Sequence, residues 1–174
     1  SAAQNAILAA ISAQDAFEQA GGDLGHILYH NVTEAIDNLE TALNADPQDP
    51  DAIADTTNAL TNATSMLEAF TALLVDDVID AAINTITDAQ DAQQAFVDAL
   101  GDTSETDYTD VTDAIQILQD EINADPQDLD EIRNKTLELF VKKNQLIQAT
   151  DDLISTLIAN ANESLEHADS AMDA

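Results

Sequence analysis

The residues that most often end a helix are confined to a few short windows of this 174-residue chain. Its four glycines and three prolines all fall within 21–25, 47–50, 101 and 126. The long stretches 51–100 and 127–174 contain neither residue. Because glycine and proline interrupt regular structure, this distribution predicts long helices joined by brief turns. The expected helices cover about 3–20, 31–45, 50–100, 110–124 and 128–172.

Apolar residues recur every seven positions along the first breaker-free stretch. The stripe consists of Ile53, Leu60, Leu67 and Leu74, with Ala63 and Phe70 at the intervening steps. Such spacing is typical of the seam of a helical bundle. The stripe then slips and restarts, running through Ile79, Ile86, Gln93 and Leu100. A slip within one helix rotates its apolar face, which predicts a helix shared by two successive bundles.

The hexapeptide NADPQD occurs twice, at 44–49 and 123–128, and the two copies are 79 positions apart. The same shift aligns residues 29–74 with 108–153 without a gap and brings the only two tyrosines into register. A whole structural unit is therefore duplicated. Further upstream, Ala13–Ala16 matches Ala89–Ala92 at a shift of 76. That match predicts glycine-containing connections of unequal length in the two copies.

Together, the helices and the repeat predict an all-α fold of two tandem antiparallel three-helix bundles. The bundles share helix 50–100, have a repeat of about 79 residues and form an elongated rod. The first covers 1–78 and the second 79–157. Residues 158–174 overhang the second bundle, as the start of a further repeat or as an assembly contact. Three arrangements stay open for this overhang: pairing with a next repeat, pairing with another copy near Ile7, or folding back.

Capping residues stand at the expected helix starts. Asn31 and Asp110 each precede an apolar run and have an acidic residue three positions later, as capped helix starts do. In the hexapeptide and just after it, an Asp before a Pro offers a cap followed by a residue suited to the first turn. Both Asp46 and Asp49 fit this role. We interpret NADPQD as a helix–helix turn, with a duplicated ligand-binding loop as the alternative.

Acidic residues dominate the composition. The chain has 35 Asp and Glu against four Lys and Arg, a formal net charge of −31. This balance argues against nucleic-acid binding, which requires a basic footprint, and against docking on anionic lipid. It favours cations, a basic partner or a high-salt habitat, in which screening reduces self-repulsion. Cysteine is absent, which excludes disulfides and thiol chemistry. No apolar segment reaches about 18 residues, so we expect no membrane insertion.

Two groups of side chains are candidate metal ligands. Asp102, Glu105, Asp107 and Asp110 crowd one predicted loop. Oxygen-rich loops can hold calcium, although this one lacks the glycine of an EF-hand loop, and a plain polar connection is the alternative. His26 and His30 are four residues apart, a spacing that suits a transition metal on a helix. The second copy has Glu105 and Thr109 at the matching positions, so this pair is no property of the repeat.

The four basic residues form an island within the second copy: Arg133, Lys135, Lys142 and Lys143. They either neutralise nearby acids such as Glu131 and Glu138 or form a patch that docks an acidic partner. The chain also has four Asn-x-Ser/Thr sequons, at Asn31, Asn62, Asn134 and Asn162. These suggest a glycosylated surface protein, with chance occurrence as the alternative for some of them.

The predicted architecture, carried by the two stripes Ile53–Leu74 and Ile132–Leu153 and the two NADPQD turns, resembles spectrin-type arrays of tandem three-helix bundles. It is also similar to the helical repeat regions of microbial S-layer proteins and adhesins. This resemblance implies a role in spacing, self-assembly or cell-wall attachment, at an extracellular or cell-surface location. No nucleophile or phosphate-binding motif is present. We therefore expect a non-enzymatic structural module with no cofactor, calcium being the one exception considered. The alternative is an acidic binding module for divalent cations or a basic partner.

Overall fold

The computed structural model describes residues 1–124 and 127–172, which contain five α-helices and no strand. In chain order these are α1 Ala2–Gln19, α2 Ile27–Asn44, α3 Pro50–Asp98, α4 Thr106–Ile122 and α5 Leu129–Met172. About 86% of the described residues are helical. The all-α prediction is confirmed, and the expected bounds of α1, α3 and α5 agree with the structure to within about two residues.

The chain divides into two compact units, Ser1–Val78 and Ile79–Ala174, referred to below as the first and second unit. The core of the first unit draws residues from three helices. Its buried members are Ala3, Ala10, Ala13 and Phe17 of α1, Val32 and Leu39 of α2, and Leu60 and Leu67 of α3. Alanines on α1 allow its backbone to approach the other helices closely. The first stretch of α3 thus presents the predicted seven-residue stripe to this core.

The core of the second unit is built from the same residue types at positions 79 residues later. Its buried members include Ala82, Ala89, Ala92 and Phe96 of α3, Val111 and Leu118 of α4, and Leu139 and Leu146 of α5. A residue and its counterpart 79 positions later are called sister residues below. The sister relationship extends back to Ala3, well beyond the gap-free segment that begins at Tyr29.

The predicted difference in connection length is wrong. The connection between α1 and α2 covers 20–26 and that between α3 and α4 covers 99–105, seven residues in each case. The shift of 76 suggested by Ala13–Ala16 arose because alanine recurs so often that short matches occur out of register. Phe17 and Phe96, both buried, are 79 positions apart.

Helices α1 and α3 end in the same motif. The Gly22 amide donates to the Phe17 carbonyl, and the Gly101 amide donates to the Phe96 carbonyl, each over 2.9 Å. The residue before each of these glycines has a left-handed backbone, with φ of 76° at Gly21 and 67° at Leu100. This is the Schellman arrangement, which satisfies the last helix carbonyls. Leu100, expected in the apolar stripe, is therefore 80% exposed beyond the helix end.

Helices α2 and α4 begin about four residues earlier than expected. Their N-caps are His26 and Glu105, so Asn31 and Asp110 lie inside the helices and cap nothing. The earlier start follows from the preceding turn. Asp23 accepts a hydrogen bond from the Gly25 amide, and Asp102 accepts one from the Ser104 amide. Such a turn closed by an aspartate side chain redirects the chain two to three residues before the cap.

The NADPQD segment forms the connection between α2 and α3. Asp49, rather than Asp46, caps α3, because its carboxylate accepts hydrogen bonds from the amides of Asp51 and Ala52. The Gln48 side chain also donates back to the Leu43 carbonyl at the end of α2. In the second copy the described part of the hexapeptide behaves alike, since Asp128 caps α5 in the same way. These contacts agree with the interpretation of NADPQD as a turn.

Candidate functional site

Buried polar chemistry is scarce in this molecule. Among the described residues, the buried polar side chains are Thr64 and Thr150. Each hydroxyl donates to the carbonyl four residues earlier, on Leu60 and Leu146 respectively. No buried side-chain nitrogen or oxygen in the described part of the chain lacks a partner. The interior thus offers no unpaired polar atom that points to a ligand.

The acidic loop considered for calcium is organised around its own turn. Asp102 accepts hydrogen bonds from the backbone amide and the hydroxyl of Ser104, at 2.9 and 2.8 Å. The backbone bond, and then the hydroxyl bond, hold the pKa of Asp102 below its ordinary value. Asp110 is turned toward α5, where it pairs with Lys142. Across residues 1–124 and 127–172, no three His, Asp or Glu side chains are grouped to hold a metal ion. The calcium site stays a prediction without structural support.

The predicted histidine pair is divided between two environments. His26 accepts a hydrogen bond from the Leu28 amide through Nδ1, and its ring stacks on Phe70 with centroids 4.6 Å apart. The Phe17 ring lies 6.2 Å from both of these rings. His30, in contrast, is exposed on α2. His26 therefore caps a helix and completes an aromatic cluster, a role that the sequence pattern did not reveal.

All four basic residues pair with acids of the same chain. On the surface of α5, Arg133 pairs with Asp130, and Lys135 lies near both Glu131 and Glu138. The hydrogen bond from Lys135 to Glu138 is the main cause that raises the pKa of Lys135. These contacts favour the interpretation of the island as local neutralisation.

Two of the lysines also connect helices within the second unit. Lys142 reaches Asp110 of α4 at 3.0 Å, and Lys143 reaches Asp88 of α3 at 3.5 Å. The sisters of the first pair are Ala63 and Asn31, and those of the second pair are Thr64 and Ala9. In each of the two pairs, the lysine and its acid are both present in the second unit and both absent from the first.

The four sequons lie on helices rather than in loops. Asn31, Asn62, Asn134 and Asn162 are all exposed. Their hydroxyl residues nevertheless engage the helix backbone; Thr64, for example, is buried and donates to the Leu60 carbonyl. Any modification that requires this hydroxyl would have to precede folding of α3. Glycosylation stays a prediction.

A shallow groove of about 540 Å³ lies between α2 and α3 in the first unit. Half of its lining residues are alanines, among them Ala35, Ala42, Ala59 and Ala63. In the second unit the sister of Ala63 is Lys142 and the sister of Asn38 is Ile117, so the same region carries larger side chains. The sequence analysis missed this groove, although the change from alanine to lysine between sister positions could have indicated it.

The last turns of α5 lack intramolecular cover. The described side chains from Ile154 onward are all exposed. The large apolar ones are Ile154, Leu157, Ile158, Leu165 and Met172, with exposed fractions from 41% to 77%. The folded-back arrangement is therefore wrong for these residues. Pairing with a further repeat or with another copy stays open.

Within the described residues, none of the helices combines the length and apolar character needed to cross a membrane. No protein-family model matches the chain, and neither a curated protein nor a solved structure matches it. Its function must therefore be inferred from its own residues.

Proposed function

We propose that this chain is a non-enzymatic structural or spacer module of an acidic extracellular or cell-surface protein. In this proposal, its two units are tandem three-helix bundles of a 79-residue repeat that share α3. They form a rod, as in a filament, an adhesin stalk or an S-layer subunit. The module assembles through helix–helix contacts. Its acidity keeps the surface hydrated and suits a medium with abundant cations.

The observation that carries this proposal is the repetition of structural contacts between sister positions. Gln14 donates to the Thr33 hydroxyl at 2.8 Å, and its sister Gln93 donates to the Thr112 hydroxyl at 2.6 Å. The sister phenylalanines occupy the same place in the two helix ends. What recurs is thus the set of residues that builds helices and packs them. The pair of His26 and His30 belongs to the first unit alone, and the lysines belong to the second unit alone.

The competing function is an acidic module that binds divalent cations or a basic partner. The two proposals differ in how stability should respond to ions. A spacer should become more stable gradually as ionic strength rises, whichever cation supplies it, because salt screens the repulsion among its carboxylates. A calcium-binding module should gain stability saturably at low calcium concentration, by mass action on the folded state.

Thermal unfolding followed by circular dichroism in NaCl, KCl and CaCl₂ at matched ionic strength separates these outcomes. We expect NaCl and KCl curves that superpose, with only a gradual further effect of calcium. A matched variant with Asp102→Asn and Asp107→Asn should respond to calcium as the parent does. Saturation at micromolar calcium that this variant abolishes would contradict the spacer proposal. Small-angle scattering should show an elongated particle, and a compact one would contradict the rod.

A further inference from the structure

The exposed end of α5, residues 154–172, has an ordered apolar face. Ile154, Ile158, Leu165 and Met172 follow one another at helical spacings of four or seven, and Ala161 and Ala168 lie between them. On a helix these positions fall within one narrow sector. The acidic residues Glu163 and Glu166 point away from it. This face is rotated from the stripe by which α5 packs in the second unit through Leu139 and Leu146, because the seven-residue spacing slips after Leu153 as it does after Leu74.

The register of this face is that of the first helix of each unit. Ala161 is the sister of Ala82, which is the sister of Ala3, and both of these are buried. Ala168 stands in the same relation to Ala89 and Ala10, which have no exposed surface. The apolar residue between these two alanines is Leu165 in α5, and its sisters are Ile86 in α3 and Ile7 in α1. The same face is therefore covered in two places in the chain and uncovered in the third.

The two covered cases indicate what the cover is. In the first unit, α1 packs against α2 and the first stretch of α3, through Val32, Leu39, Leu60 and Leu67. In the second unit the corresponding stretch of α3 is tied to α4 by the bond from Gln93 to Thr112 and to α5 by the pair of Lys143 with Asp88. In each case the cover is a helical hairpin, formed by the next helix and the beginning of the one after it.

We propose that the α5 end is a docking surface for a helical hairpin of this same type. This inference rests on the proposed function, because it takes the units to be repeats. The hairpin covers Ala161, Leu165 and Ala168 with apolar residues equivalent to Val111, Leu118, Leu139 and Leu146. It thereby completes a third unit in which the α5 end is the first helix.

A second intact copy of the chain is a poorer occupant. Its two hairpins already hold α1 and the second stretch of α3, and those helices carry a buried phenylalanine, Phe17 or Phe96. To accept the α5 end, one of these hairpins would have to release its own helix and uncover that phenylalanine. Approach of two chains that each carry a net charge of −31 adds electrostatic repulsion.

The test supplies the hairpin in the register that the sister relationship dictates. Ala174 is the sister of Ala95, so residues 96–157 are appended directly after Ala174 in the full chain. Limited proteolysis and hydrogen exchange then report whether the appended segment is folded on the α5 end. We expect it to resist cleavage and the amides of residues 160–170 to gain protection relative to the original chain.

Two substitutions make the test specific to the face. Leu165→Asp would bury an unpaired charge under the hairpin, so cleavage of the appended segment should accelerate by about tenfold or more. Glu163→Gln, on the opposite side, should leave the cleavage rate within about twofold. In the original chain, Leu165→Asp should leave thermal unfolding of the two units unchanged, because Leu165 is exposed there.

Three results would overturn the inference. The appended segment could stay as sensitive to protease as an unfolded chain, or its protection could be unaffected by Leu165→Asp. Sedimentation of the original chain could instead reveal a dimer that Leu165→Asp dissociates, which would make a second copy the occupant. None of these results alters the response of the original chain to salt, so failure of the inference is distinguishable from failure of the spacer proposal.

Discussion

The first and second units bury the same residue types at sister positions and differ in what surrounds that core. The first unit surrounds Phe17 with His26, Tyr29 and Phe70 and contains no Lys or Arg. Among the described residues of the second unit, Tyr108 is the one aromatic residue whose ring approaches Phe96, and lysine pairs connect the helices of this unit. The two units thus share a set of buried apolar residues. The aromatic cluster adds to this core in the first unit, and the ion pairs add to it in the second.

The aromatic cluster and the ion pairs each have no equivalent at the sister positions of the other unit. The sisters of His26 and Phe70 are Glu105 and Ala149, which cannot form a ring stack. The sister of Lys143 is Thr64, which is buried and bonded to its own helix. The two units therefore stabilise their cores by different contacts, and substitutions at sister positions should have different effects on the two units. Tyr29 and Tyr108 are the only tyrosines and the chain has no tryptophan, so replacing either tyrosine by phenylalanine leaves a reporter of one unit.

Removing the buried phenylalanines should have the largest effect. Phe17→Ala and Phe96→Ala should each reduce the free energy of unfolding of their own unit by about 3–5 kcal/mol. The Phe17 loss should be greater by about 1 kcal/mol, because that ring has three aromatic neighbours against one. Urea unfolding followed by fluorescence of the single remaining tyrosine measures each value against its matched parent. Equal losses in the two units would contradict a stabilising contribution of the aromatic cluster.

Exchanging the left-handed residues should produce effects of opposite sign in the two units. Leu100 adopts φ of 67° with its side chain 80% exposed. Leu100→Gly should therefore stabilise the second unit by about 0.5–1 kcal/mol, since relief of strain exceeds the added entropy of the unfolded chain. Gly21→Leu should destabilise the first unit by a similar amount. Thermal unfolding checks both, and a destabilised Leu100→Gly variant would show that the left-handed turn is wrongly assigned.

The glycines next to these positions illustrate what the sequence could and could not predict. Segregated glycines and prolines were enough to locate five helices and the turn at the first NADPQD, residues 44–49. They could not reveal that a Cβ on Gly22 or Gly101 would lie 2.3 Å from a phenylalanine ring, because that closeness arises from tertiary packing. The same packing makes Leu100 a turn residue rather than part of the stripe.

The candidate site was less predictable than the fold. Asn31 and Asp110 have the spacing of caps, but the preceding aspartate turns start each helix a full turn earlier. Lysines clustered in sequence gave no sign that Lys142 and Lys143 would reach different helices. The partners of individual polar side chains depend on which faces of the helices meet. Hydrophobic spacing defines those faces only to within about a residue.

Removing the Lys143 side chain should reduce the free energy of unfolding of the second unit by a smaller amount, which depends on salt. The Lys143 ammonium lies 3.5 Å from Asp88 and 4.8 Å from the centre of the Phe140 ring. Lys143→Ala should cost the second unit about 0.5–1 kcal/mol at low salt and less in 1 M NaCl, a concentration at which the Debye length is only about 3 Å. A double-mutant cycle with Asp88→Ala isolates the pair. A coupling energy that does not change with salt would contradict an electrostatic origin.

The smallest predicted effect is on the ionisation of Tyr29. The Tyr29 hydroxyl donates to Glu18 at 2.7 Å, and this hydrogen bond is the main cause that raises the pKa of Tyr29 above 10.0. The protonated hydroxyl therefore stabilises the first unit below about pH 10, and this contribution is lost as pH rises through the raised pKa. Glu18→Val reproduces Val97, its sister. In a Tyr108→Phe background, this substitution should move the absorbance titration of Tyr29 to lower pH. An unchanged titration would mean that the hydrogen bond is not formed in solution.

Residue-resolved hydrogen exchange of the full chain tests most directly whether the two units have the same construction. We expect the slowest amides in α3 and α5 around Leu60–Leu67 and, 79 residues later, around Leu139–Leu146. The first-helix segments 10–17 and 89–96 should be similarly protected. Residues 155–170 should exchange fastest among the helical segments, because their side chains lack cover. Protection maxima separated by a distance other than 79 residues, or an α5 end that exchanges as slowly as the cores, would contradict the account.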